Sequence, residues 1–119
     1  MPSRPRRPLA LLLIVLTFTL AACQSGSAGS PADATPRRGV TTVDAKKLQF
    51  QPPAIEVQPG TVVTWRFVDG AVPHNVKGQG FSSPTQSRGT WSHRFTQAGE
   101  YRYHCDLHAG MEGRVVVAG

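Results

Sequence analysis

Residues 101–111 of the chain read Tyr-Arg-Tyr-His-Cys-Asp-Leu-His-Ala-Gly-Met, which sets a thiol, an imidazole and a thioether at steps of three: Cys105, His108 and Met111. All three side chains are donors to a soft or borderline metal ion. Three residues reach about 10 Å when extended, whereas two donors to one ion lie within about 4 Å, given bonds near 2.0 Å to nitrogen and 2.3 Å to sulfur. The chain must therefore curl, and Gly110 suits the turn that brings Met111 back. A second nitrogen is still wanted. His104 adjoins Cys105 and must face the other way, and His93 stands in mid-alternation between Trp91 and Phe95. That leaves His74, in Val72-Pro73-His74-Asn75-Val76, which follows a strong strand pattern and an Asp69-Gly70 turn. Two imidazoles, one thiolate and a weak thioether suit a type 1 copper ion that alternates between Cu(I) and Cu(II).

Other chemistries for the same residues fit less well. A thiol hydrolase pairs its Cys and His in space rather than in one tight loop, and no oxyanion-forming helix start is evident. Zinc sites take Cys, His, Asp or Glu and not Met. Multicopper oxidases need His-x-His pairs, and the chain has none. The reading is a metal-binding protein and not an enzyme. His93 and His104 read as ordinary sheet and surface histidines, Trp65 and Trp91 as core, and Phe81 as a local anchor.

The elements that must position the donors are strands. Period-two alternation bounded by Gly and Pro recurs, and helical periodicity is absent. Leu48 and Phe50 are expected to share a face, as are Ile55 and Val57. Val63, Trp65 and Phe67 point one way in Thr61 to Phe67 while Thr64 and Arg66 point the other. Trp91, His93 and Phe95 alternate likewise, then Tyr101, Tyr103 and Cys105, and Val115 with Val117 closes the set. Residues 77–89, rich in Gly, Ser, Gln and Pro, read as a long connection. Seven to eight short strands within some eighty residues predict an all-β sandwich.

The chain has 119 residues and a formal charge of +6, which bounds it to one small domain. Residues 1–22 have the order of a secretory signal: Arg4, Arg6 and Arg7, an apolar run from Leu9 to Leu20, then small residues before Cys23. That run is shorter than the roughly 20 residues a spanning helix needs. Leu20-Ala21-Ala22-Cys23 resembles the lipobox of bacterial lipoproteins, which implies acylation of Cys23 and anchoring to a membrane; Arg6-Arg7 fits a twin-arginine export signal poorly. Removing the leader takes three arginines with it and leaves ten basic against seven acidic residues. The remaining pairs Arg37-Arg38 and Lys46-Lys47 make no nucleic-acid stripe, so no nucleic-acid partner is expected. With Cys23 acylated, Cys105 is a lone exported thiol, which metal ligation both occupies and protects. Residues 23–39 are Ser, Gly, Ala and Pro with little to bury and read as a flexible tether; residues 40–119 read as the folded domain.

Residues 40–119 resemble the cupredoxins, the blue copper proteins, with Pro73-His74-Asn75 upstream and the short Cys105-x-x-His108-x-x-Met111 loop most similar to the amicyanin branch. The resemblance implies a plastocyanin-like Greek-key sandwich with one copper ion, and an Asn75 side chain that braces the cysteine loop. The residue after the cysteine, usually Thr or Ser in the family, is Asp106, and Leu107, Ala109 and Gly110 replace a more Pro-rich, aromatic loop. An ionised Asp106 is expected to favour Cu(II). The function implied is one-electron transfer between redox partners outside the cytoplasmic membrane or in the periplasm. A monomer is expected to dock its partners briefly through His108 and an apolar rim of Val72, Pro73, Leu107 and Ala109. The alternative is extracytoplasmic copper handling as a metallochaperone or sequestering protein; the presence of only Met1 and Met111 favours the carrier, since metal-transferring sites are usually open and rich in Met or His.

Overall fold

The alternation of apolar and polar side chains resolves into ten short strands in a computed structural model that describes residues 29–119 together with Ser3. The expected signal segment, apart from Ser3, and the expected lipidation at Cys23 lie outside the described residues. The strands are β1 (Arg37–Arg38), β2 (Thr42–Lys46), β3 (Gln49–Gln51), β4 (Ala54–Val57), β5 (Thr61–Phe67), β6 (Lys77–Gly78), β7 (Phe81–Ser82), β8 (Thr90–Phe95), β9 (Gly99–His104) and β10 (Glu112–Val117). They form two sheets, one in the order β1-β4-β10-β9-β6-β7 and the other β3-β2-β5-β8. The only helix among the described residues is a 3-10 turn, Pro31–Asp33.

Between the sheets lies one core, in which Val43, Ala45, Ile55, Val63, Trp65, Phe67, Phe95, Tyr103, Val115 and Val117 are buried. They come from alternate positions of their strands, as half-buried sheets require. Burying a large apolar side chain fully contributes roughly 1.5–3 kcal/mol. Trp65 sits at the centre, edge-on to Tyr103 at 5.2 Å and tilted against Trp91 at 5.5 Å. Phe81 is the anchor expected of it, packed among Trp65, Trp91, Phe95 and Tyr103. His93 lies over the Phe81 ring at 5.1 Å, and burial pushes its imidazole pKa down.

Three expectations need correction. Leu48 does not share a face with Phe50. Instead Lys47 and Leu48 form the two-residue turn between β2 and β3, both with positive φ (53° and 56°), and Leu48 is exposed. Residues 77–89 are not merely a connection, because β6 and β7 add to the edge of the first sheet beside β9. Nor is the stretch up to residue 39 wholly a tether. Ala32 is buried, Asp33 pairs with Arg102, the Ala34 carbonyl accepts from Arg114 at 3.1 Å, and β1 runs parallel to β4. The polar composition of this segment concealed a packing held mainly by long-range ion pairs and backbone bonds.

Strand direction decides where the chemistry sits. β2 and β5 are parallel and end together at Lys46 and Phe67, while β9 ends and β10 begins at the His104–Glu112 pair. Lys77 at the start of β6 pairs with that same His104. One end of the sandwich thus gathers the 47–48 turn, the 68–76 loop and the 105–111 loop.

Candidate metal centre

His74 arrives on the 68–76 loop, which is pinned on both sides. Its backbone N–H donates to the Gln86 carbonyl at 3.0 Å, and its carbonyl accepts from the Gln86 N–H at 2.9 Å. Two residues on, the Val76 N–H donates to Ser83 Oγ and the Ser83 N–H donates back to the Val76 carbonyl, both at 2.8 Å. The side chain is fixed as well: His74 Nε2 lies 2.9 Å from Asp69 Oδ2. A carboxylate can only accept there, so Nε2 carries the proton and Nδ1 keeps its lone pair. Asp69 is held as a carboxylate, its pKa lowered first by the Leu48 N–H, at 3.1 Å, then by His74 and the Lys47 N–H.

The second loop closes on itself. The Cys105 N–H donates to the Met111 carbonyl at 2.9 Å and the Met111 N–H to the His108 carbonyl at 3.2 Å. Gly110 supplies the turn with φ of 78°, a region where side chains with a Cβ are strained. These bonds give the curl that the three-residue spacing demands.

Asn75 ties the loops together. Its Oδ1 accepts the Asp106 N–H at 2.8 Å, and its Nδ2 donates to the Asp106 carboxylate at 2.9 Å. The brace is therefore present, and the Asp at this position adds a second bond to it. Asp106 also meets His104 Nε2 at 2.8 Å and Lys77 Nζ at 3.7 Å. Its carboxyl is held below the usual range, chiefly by Asn75 and then by His104. His104 is on the surface, and His93 is absorbed in the aromatic packing of the sheet; neither joins the cluster.

His74, Cys105 and His108 meet. His74 Nδ1 and His108 Nδ1 are 3.2 Å apart, and Cys105 Sγ lies 3.9 Å from the first and 3.6 Å from the second. With bonds of about 2.0 Å to nitrogen and 2.3 Å to sulfur at 120°, an ion in the plane of such a triangle calls for edges of about 3.5, 3.7 and 3.7 Å. The observed edges differ from these by a few tenths of an ångström, so the donors fit one ion without rearrangement. Met111 is buried at the mouth of the same loop, and the four side chains form a ligand set typical of a type 1 copper site. His74 is fully buried and Cys105 is 4% exposed, whereas His108 is half-buried.

Sequence reasoning missed Asp69, Gln86 and Ser83. Asp69 stands five residues before His74 in a turn, a signal too weak to single out. Gln86 and Ser83 act through pairing that no local pattern announces.

The family of copper-binding proteins described as plastocyanin/azurin matches residues 38–118. Amicyanin-alpha of Methylorubrum extorquens is 33% identical over 119 residues, spanning 93% of this chain and 98% of that protein. Plastocyanin of Chlamydomonas reinhardtii is 34% identical over 103 residues, spanning 72% of this chain and 68% of that one. Among solved structures, a purple cupredoxin from Nitrosopumilus maritimus superposes with a TM-score of 0.62 at 27% identity, covering 66% of this chain and all of that one. The Cu(I) form of an amicyanin mutant superposes with a TM-score of 0.59 at 34% identity, covering 75% and 90%.

Proposed function

This chain belongs to the plastocyanin/azurin family of copper-binding proteins, and from that premise we propose that it carries single electrons between redox partners outside the cytoplasmic membrane, held there by lipid on Cys23. Its cofactor is copper, and the ion supplies a Cu(I)/Cu(II) couple when bound. The observation that carries the reading is the triangle of His74 Nδ1, Cys105 Sγ and His108 Nδ1, with edges of 3.2 to 3.9 Å.

The residues divide the work by burial. His74, Cys105 and Met111 exclude water from the site. Asp69 holds the His74 ring in the tautomer that offers Nδ1, and Asn75 holds the cysteine loop against the histidine loop. His108 alone is half-open, and Leu107, Ala109, Pro73 and Val72 around it are exposed or half-buried. A rim of four such residues suits a small, brief contact with a partner, with the imidazole edge as the route for the electron. A copper-delivering protein needs a site its partner's ligands can enter, and the burial here favours the carrier.

The test is the visible spectrum of the protein loaded with Cu(II). An intense blue thiolate-to-copper band, lost in Cys105→Ser and bleached reversibly by one electron per protein, is the expected result. A colourless loaded protein, or copper that passes to a chelator within minutes, would overturn it.

A further inference from the structure

The point at which the chain enters the domain fixes which end of the molecule faces whatever holds the N-terminal segment. Ser30 Oγ bonds the carboxylate of Glu112. Glu112 directly follows Met111 and pairs across the ladder with His104, the neighbour of Cys105. From Ser30 the chain runs away from the metal centre. Asp33 pairs with Arg102, Ala34 receives Arg114, and Arg37–Arg38 lies parallel to β4, itself parallel to β10. The entry point is thus beside the ligand loop and not at the opposite pole, where β8 turns into β9 at Gln97 and Ala98.

We infer that the copper-bearing end of the domain faces the lipid surface, so that its redox partner is one held in or on the same membrane. The inference rests on the proposed acylation of Cys23. Seven residue steps separate Cys23 from Ser30 and span at most about 25 Å. Entry at the far pole would place the ligand loop a further strand length away, about 20 Å for six residues. Charge points the same way. Lys46 and the Lys47 turn are exposed at this end, and cationic groups near a bilayer are drawn to anionic headgroups. The carboxylates of Asp69 and Asp106 stand at the same end, bonded to His74 and to Asn75, His104 and Lys77, and offset part of that attraction, so the short tether carries the inference. A donor or acceptor must accordingly present its docking site within that short reach of the membrane.

The test places the full acylated chain, in its Cu(I) form, on nanodiscs containing anionic lipid and a trace of lipid with a gadolinium-chelate headgroup. Amide relaxation is then read by NMR. Amides of Leu107, Ala109 and Gly110 should relax several-fold faster than those of Gln97 and Ala98, and twenty Gly/Ser residues inserted between Gly29 and Ser30 should erase the difference. Equal or stronger relaxation at Gln97 and Ala98 overturns the inference. Mass analysis of the N-terminal peptide tests the acylation separately. If the chain is not acylated, coupling Cys23 of the copper-loaded protein to a maleimide lipid repeats the measurement, and the same comparison of the two poles decides it.

Discussion

Removing the charge of Asp69 while keeping its shape should raise the reduction potential of the copper by tens of millivolts. His74 Nε2 and the Leu48 N–H both use the same oxygen, Oδ2, at 2.9 and 3.1 Å. The amide oxygen of Asp69→Asn can accept both of these bonds, so the substitution deletes a charge while keeping the contacts to His74 and Leu48. Adding the imidazole's width and a metal–nitrogen bond near 2.0 Å to the observed contact puts that charge about 7 Å from the ion. One electron of difference between Cu(II) and Cu(I) then interacts with it by roughly 2.4 kcal/mol at an effective dielectric of 20 and by roughly 0.6 kcal/mol at that of water. At about 59 mV for each tenfold change, these limits are about 100 and 25 mV. The Asp69 side chain is 17% exposed, which places the expectation between them, near 50 mV. The sign follows from charge: a carboxylate stabilises Cu(II), so its loss favours Cu(I) and raises the potential. Spectroelectrochemical titration at fixed pH and ionic strength reads the shift. A change under about 10 mV, or a fall, would refute the idea that this carboxylate acts on the copper through His74.

Asp106→Asn should shift the potential in the same direction but by less than Asp69→Asn, because its carboxylate is 43% exposed and shared with Lys77 and His104; a larger shift in the same titration would reverse the ranking. Gly113→Ala should destabilise the domain by about 3 kcal/mol in denaturant unfolding, since the added carbon would lie 2.3 Å from Tyr103 Cζ in a ring wedged against Phe50 and Trp65; an unchanged midpoint would mean that this strand pair is loose. Leu48→Gly should stabilise it by about 1 kcal/mol by relieving a left-handed residue, and leave the potential unchanged because the N–H to Asp69 is retained. On acidification the apo domain should keep its stability down to about pH 4 and lose it below. The carboxyls of Asp33, Asp69 and Asp106 are all lowered in the fold, so their contribution is complete above the unfolded pKa and disappears as pH falls toward the folded ones. Asp33→Asn, which removes one of the three, should make the acid limb shallower in a fluorescence titration.

The site was legible where chemistry and local geometry coincide. Cys105, His108 and Met111 announce themselves by donor type and spacing, because three metal donors at steps of three, with Gly110 at the turn, can be curled onto one point. His74 was reached by exclusion, aided by the strength of the Thr61–Phe67 alternation that delivers it. The strands that carry large alternating side chains, β5, β8, β9 and β10, were equally plain. Elements held by distant partners were not. In Thr42–Lys46 the inward residues are Val43 and Ala45, and one small side chain leaves the alternation faint. Within 77–89 the Gly, Ser and Pro content suggested a loop, yet Lys77–Gly78 pairs with β9 and Gln86 with His74. Leu48 was misread because an apolar side chain in a two-residue turn looks, in sequence, like the start of the next strand. The docking of residues 30–38 depends on Arg102, Glu112 and Arg114, some seventy to eighty residues away, and no window on the sequence contains both partners.

What makes the arrangement suited to a carrier is the origin of its rigidity. An ion that changes valence relaxes its ligands as far as the protein permits, and the cost of that relaxation slows electron transfer. Here three of the four ligands are held by bonds in which copper takes no part: His74 by Gln86 and Asp69, Cys105 by the Met111 carbonyl, Met111 by the His108 carbonyl. Asn75 then locks the two loops to each other through Asp106. The loops descend from different sheets, β5 from one and β9 and β10 from the other, and the aromatic core centred on Trp65 fixes those sheets relative to one another. The distance from His74 Nδ1 to Cys105 Sγ is thus set by the packing of the sandwich, and a change of one charge at the ion has few soft coordinates through which to move it.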